Sequence, residues 1–106
     1  MFIHVTRDGR VALEEPHDMK HFKLVIDGKR AELAQAKSAL SGIAMIDDSG
    51  HAWVSEDWLR QNEKGAPWQD GLTAMIATAK KYGWVDEKAK TIRAHVEFPD
   101  DAAEKA

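Results

Sequence analysis

Residues 67–83 constrain the fold most, because helical periodicity, a start signal and a stop signal coincide there. Trp68, Leu72, Met75, Ile76, Ala79 and Tyr82 recur at helical spacing, which at about 100° per residue gathers them into one apolar stripe. Pro67 suits a first helical position, where no amide donor is lost. Lys80 and Lys81 complement the carbonyl end, and Gly83 suits the left-handed cap, after which Trp84 folds back on the last turn. Such a stripe needs a sheet to cover, so the rest of the chain is read for strands.

Segments 2–6 and 10–13 read as strands around the turn Arg7-Asp8-Gly9. A two-residue loop would send the branched residues of the two strands to opposite faces. A three-residue loop with Gly9 as a bulge pairs Val5 with Val11 and Ile3 with Leu13, giving a uniformly apolar face, so the bulged hairpin is predicted. Segments 43–47 and 51–54 form a second hairpin around Asp48-Ser49-Gly50. It places Ala44, Ile46, Ala52 and Val54 on one face and Ile43, Met45 and Trp53 on the other. With both faces apolar, this hairpin belongs inside a covered sheet, or between a helix and a partner chain. Near the carboxy end, Ile92, Ala94, Val96 and Phe98 alternate with Thr91, Arg93, His95 and Glu97 up to Pro99. That pattern describes a strand with one wet face.

Two further helices are predicted. Ser55 caps one that carries Glu56 and Asp57 in its first turn, with Val54 placed to staple onto Leu59. The other covers 30–40, rich in alanine, with Gly42 beyond its end. Residues 16–27 are ambiguous: Met19, Phe22 and Ile26 fit a helix, and Phe22, Leu24 and Ile26 fit a strand. The acidic-then-proline entry at Glu15-Pro16 favours the helix, since a strand here has no evident partner. The first hairpin with its Glu-rich continuation also echoes the second with its Ser55 cap, as if hairpin-then-helix were a repeated unit. The expected fold is α+β: a largely antiparallel sheet of two hairpins plus a carboxy-terminal strand, with helices on one face. One domain spans 1–98, and 99–106 form a flexible charged tail.

A chain of 106 residues has apolar content for a single core. Its 15 basic and 18 acidic residues give a formal charge of −3 with no massed basic run, so nucleic acid is not an expected partner. Cysteine is absent, which removes disulfides and thiolate chemistry. The apolar start, 1–5, runs directly into Arg7, Asp8 and Gly9, unlike a signal peptide, and no run approaches bilayer length. A cytoplasmic protein without a membrane partner is expected.

Candidate chemistry is sparse. His17 and His21 are four apart, which on a helix would place two imidazoles on one face. A third ligand would have to come from Glu14, Glu15, His4 or Asp18, so no metal or cofactor is expected. Asp47, Asp48, Ser49 and His51 include the residue types of a hydrolytic triad but are crowded into one turn, where they serve turn chemistry. Trp58, Trp68, Tyr82, Trp84 and His95 are candidates to line an aromatic pocket with a polar group. Ile43, Met45 and Trp53 on the second hairpin, and Ala74, Ala77 and Thr78 on the back of the long helix, are candidates for an interface. The expected function is therefore a non-enzymatic interaction module, an accessory subunit or homo-oligomeric domain, bound to a protein partner or a second copy. The alternative is a small-molecule site or small enzyme with a tryptophan-lined pocket and histidine chemistry.

Overall fold

The computed structural model describes residues 1–28, 33–63 and 65–99. In order these form β1 (Phe2–Val5), β2 (Val11–Glu14), β3 (Lys23–Ile26), α1 (Leu33–Ala39), β4 (Ala44–Ile46), β5 (Ala52–Ser55), α2 (Glu56–Arg60), α3 (Ala66–Lys81), β6 (Val85–Asp86) and β7 (Thr91–Glu97). The fold is α+β, with a curled, mixed, seven-stranded sheet in the order β2-β1-β3-β7-β5-β4 and β6 paired to β7. Ile92 of β7 pairs with Val54 of β5 and also with Val85 of β6. Because a strand has two edges, β6 lies on the edge opposite β5, end to end with β3.

Local signals account for most elements. The first hairpin adopts the bulged register, with Val5 opposite Val11 and Ile3 opposite Leu13, and Gly9 takes φ 86° at the bulge, a left-handed value that disfavours other residues. In the second hairpin Ala44, Ile46, Ala52 and Val54 face the core, and Met45 pairs with Trp53 on the other side. The Ser55 hydroxyl accepts the Trp58 amide at 3.2 Å and caps α2. Helix α3 has its proline in the first turn and ends as Gly83 turns to φ 78° and the Trp84 amide donates to the Ala79 carbonyl. Trp68, Leu72 and Ala79 of α3 are buried, with Met75 and Ile76 packed half-buried beside them. Tyr82 leaves the predicted stripe: it is the C-cap residue and is 65% exposed. On β7, Ile92, Ala94 and Val96 are buried, followed by Phe98, and the intervening residues are not.

Two expectations are corrected. The sheet is mixed, not largely antiparallel, because β3 runs parallel to both β1 and β7. The segment read as a helix from Pro16 instead makes turns and then strand β3, in which Leu24 and Ile26 are 0% and 2% exposed. The partners of β3 are distant in sequence, so no local window reveals them, and two ladders of backbone hydrogen bonds outweigh a helix-start signal. That signal is used in a turn: Glu15 takes φ 47°, and the Pro16 carbonyl accepts the Trp68 indole N–H at 2.8 Å. The echo between the hairpins therefore ends at the turn, since a strand follows the first and a helix the second. Of the helix expected over 30–40, residues 30–32 lie outside the described residues, as does 100–106 of the expected tail.

The parallel pairing of β3 with β7 is directly testable. Val25 and Glu97 are register partners, and neighbouring strands lie within disulfide-bonding distance. In this cysteine-free chain, Val25→Cys with Glu97→Cys should crosslink under mild oxidation, whereas Val25→Cys with Arg93→Cys should not. Leu24→Ala should destabilise the fold by about 2–5 kcal/mol in denaturant titration, as expected for truncating a fully buried leucine.

Candidate functional site

Alternation along the strands gives the sheet two unlike faces. The residues that point to the helices form the buried core, including Ile3, Val5, Leu24, Ile26, Val54 and Ile92. Their neighbours on the opposite face, among them Phe2, His4, Val25, Met45, Trp53, Arg93, His95 and Glu97, are all half-buried or exposed. The site is built on this open face.

At one end of it a continuous line of large side chains crosses β4, β5 and β7 and reaches the residues that lead into β6. Met45 of β4 pairs with Trp53 of β5, which pairs with Arg93 of β7. The Arg93 guanidinium lies over the Trp84 ring, 5.5 Å from its centroid, and the Arg93 amide donates to the Trp84 carbonyl at 2.7 Å. Trp84 in turn stacks on Tyr82, with centroids 4.8 Å apart and planes at 24°. The large apolar residues exposed among the described residues are Met45 at 64%, Tyr82 at 65% and Trp84 at 39%. All three belong to this line, which spans roughly 15 Å across its strands at about 4.8 Å spacing. A shallow depression of about 230 Å³ sits at its Met45–Trp53 end, bordered also by Ile43, Ser55 and Thr91.

The turn that resembled a triad holds this line in place. The Trp53 indole N–H donates to Asp47 Oδ2 at 2.8 Å, while Asp47 Oδ1 accepts the Ser49 amide, the Ser49 hydroxyl and the His51 amide. The donated hydrogen bonds, that from the Ser49 hydroxyl foremost, hold the Asp47 carboxyl well below the usual carboxylate range. The Ser49 hydroxyl donates a hydrogen bond to that carboxylate at 2.7 Å and has His51 Nδ1 2.9 Å away. Held that far below the usual range, the Asp47 carboxylate is a weak base and does little to activate the hydroxyl as a nucleophile.

The other end of the face is polar and internally neutralised. His4 Nδ1 is 2.7 Å from Glu14 Oε2, and Nε2 is 3.0 Å from Asp27 Oδ1. Ionised carboxylates only accept, so both contacts are hydrogen bonds only when the ring is a doubly protonated imidazolium. The hydrogen bond to Asp27 and the charges of Asp27 and Glu14 raise the His4 pKa above its ordinary value, against the smaller opposing effect of burial. Lys23 pairs with Glu97 at 3.0 Å and lies 5.9 Å from the Phe2 centroid. A separate concavity of about 170 Å³ lies between the β1–β2 turn and α1, with Asp27 on its wall.

The predicted residues fall in distinct places. Met45 and Trp53 join the line, and Ile43 packs partly against the core beside it. Ala74, Ala77 and Thr78 are exposed on α3, turned away from the sheet, with the Thr78 hydroxyl donating to the Ala74 carbonyl at 3.1 Å. Trp68 is buried in the core and Trp58 packs half-buried against it, while Tyr82 and Trp84 stack at the surface and His95 is exposed on β7. None of these five lines either of the two concavities described above. His17 and His21 are exposed in a turn, where the helical four-residue spacing does not apply, and His21 Nδ1 faces Asp18 Oδ2 at 3.2 Å. Among the described residues no group of three or more histidines and carboxylates is arranged to hold a metal ion. Sequence reasoning missed the bridging place of Arg93 and the His4 clamp. Both depend on which strands become neighbours.

The clamp predicts a pH dependence. Because the folded-state pKa of His4 is raised, its contribution to stability is full below the ordinary imidazole pKa and is lost as pH rises through the folded value. The urea midpoint should fall between about pH 5 and about pH 8 through this component. His4→Gln should flatten that part of the profile; an unchanged profile would show that the clamp contributes nothing.

Among the described residues no helix is long and apolar enough to cross a membrane. Comparison of the chain with protein-family models, with curated proteins and with solved structures finds no match.

Proposed function

We propose that the chain is a non-enzymatic interaction module that docks a partner protein on the open face of its sheet, through the line from Met45 to Tyr82. The observation that carries this reading is the coincidence of the exposed large apolar side chains. Met45 from one part of the chain and the stacked pair Tyr82 and Trp84 from another meet on one continuous surface, joined by Trp53 and Arg93. Exposed apolar residues scattered singly are ordinary, whereas a contiguous patch rich in tryptophan, tyrosine, methionine and arginine has the composition of an interface core. The neighbouring depression offers a seat for an anchoring side chain. Preorganisation adds to this, since the Asp47 hydrogen bond and the Tyr82 stack already hold Trp53 and Trp84 and reduce the entropy lost on docking.

The test compares stoichiometric capture and light scattering for the wild-type chain, Trp53→Ala and Met45→Glu, each checked for native circular dichroism. Loss of a stoichiometric partner by at least tenfold in folded variants is expected. A dimer abolished by the same variants would identify the partner as a second copy. Capture unaffected by either substitution, or a wild-type chain that is monomeric and binds no protein, would overturn the reading.

A further inference from the structure

We infer, resting on that docking reading, that the partner presents an acidic segment with an apolar anchor. The anchor would sit in the depression beside Trp53, and the carboxylates would lie along the lysines at the end of α3 and in the β6–β7 turn. Charge complementarity singles out this chemistry. Residues 80–93 contain five cationic side chains, Lys80, Lys81, Lys88, Lys90 and Arg93, against two acidic ones, in a chain whose overall charge is −3. The acidic pair is already committed. Glu87 pairs with Lys80, and Asp86 Oδ1 accepts the amides of Lys88 and Ala89 at 3.1 and 3.2 Å. Lys81, Lys88 and Lys90 are exposed and make no ion pair among the described residues.

Topology brings these cations to the line. Lys81 precedes Tyr82, and the β6–β7 turn carrying Lys88 and Lys90 leads into Thr91, which borders the depression. An anionic segment lying along the line would thus pass Lys81 next to the Tyr82–Trp84 stack and the Lys88–Lys90 turn next to the depression. The Asp47 carboxylate on that side is occupied by the Trp53 indole and the 49–51 turn. Rim charges of this kind favour encounter and discriminate among partners, while the buried apolar anchor slows dissociation. The opposite end of the open face, with His4 between Glu14 and Asp27 and Lys23 on Glu97, offers no comparable excess. A protein segment fits better than single-stranded nucleic acid, because Trp84 already has Tyr82 and Arg93 against its ring where a base would stack.

The experiment is selection of a random dodecapeptide library on the immobilised full chain, with fluorescence anisotropy of the recovered peptides at two salt concentrations. Recovered peptides should pair aspartate or glutamate with an aromatic or aliphatic residue, and higher salt should weaken them. They should lose at least tenfold in affinity on the folded variants Trp53→Ala and Lys88→Glu/Lys90→Glu, but not on Lys37→Glu, which lies on α1. Neutral or basic peptides that depend on Trp53 would overturn the acidic assignment and leave the docking reading standing. Peptides indifferent to Trp53, or no recovered peptide at all, would overturn both. A fluorescent oligothymidylate that binds more tightly than the peptides and is lost on the same variants would assign the surface to nucleic acid instead.

Discussion

Strand β7 is bonded along both edges, and the rest of the structure depends on that double pairing. One edge carries β5 antiparallel, and the other carries β3 parallel and β6 antiparallel. Among the described residues, the amino-terminal strands and the second hairpin share no ladder other than through β7. It is therefore the seam of the sheet, and its alternation of buried Ile92, Ala94 and Val96 with Thr91, Arg93, His95 and Glu97 sets which way each neighbour must face. A shift of one residue would turn its apolar set to the open side and separate Trp53 from Trp84.

The same seam explains how the open face divides. Toward β1 and β2 it carries charges that satisfy one another, with a histidine held between two carboxylates and a lysine on a glutamate. Toward β4 and β6 it carries aromatic and sulfur-containing side chains, and the guanidinium there lies on a ring. Water solvates the first end well. The second is held rigid by stacking and by the Asp47 network while remaining exposed, a combination suited to recognition because little side-chain freedom is left to lose.

Much of this was legible residue by residue. The bulged register at Gly9, the Ser55 cap, the Gly83 stop and the alternation of β7 all follow from interactions that span few residues. Met45 and Trp53 were recognisable as an apolar pair on the less committed face of their hairpin. Tyr82 falls outside the apolar stripe because Lys81 is the last helical residue, and beyond that point helical spacing no longer fixes direction. Strand β3 leaves no decisive local sign of itself because its partners are β1 and β7, and β6 is too short to leave a periodic signal.

The sequence by itself determined which side chains of most elements face the core, since periods of two and 3.6 residues are properties of the local backbone. Only the tertiary structure decided which strands lie side by side. Backbone donors and acceptors are the same at every residue, so a ladder carries no address, and the partner is selected by how the whole apolar surface packs. That selection set β3 between β1 and β7 and placed Arg93 between Trp53 and Trp84, turning separate surface residues into one line.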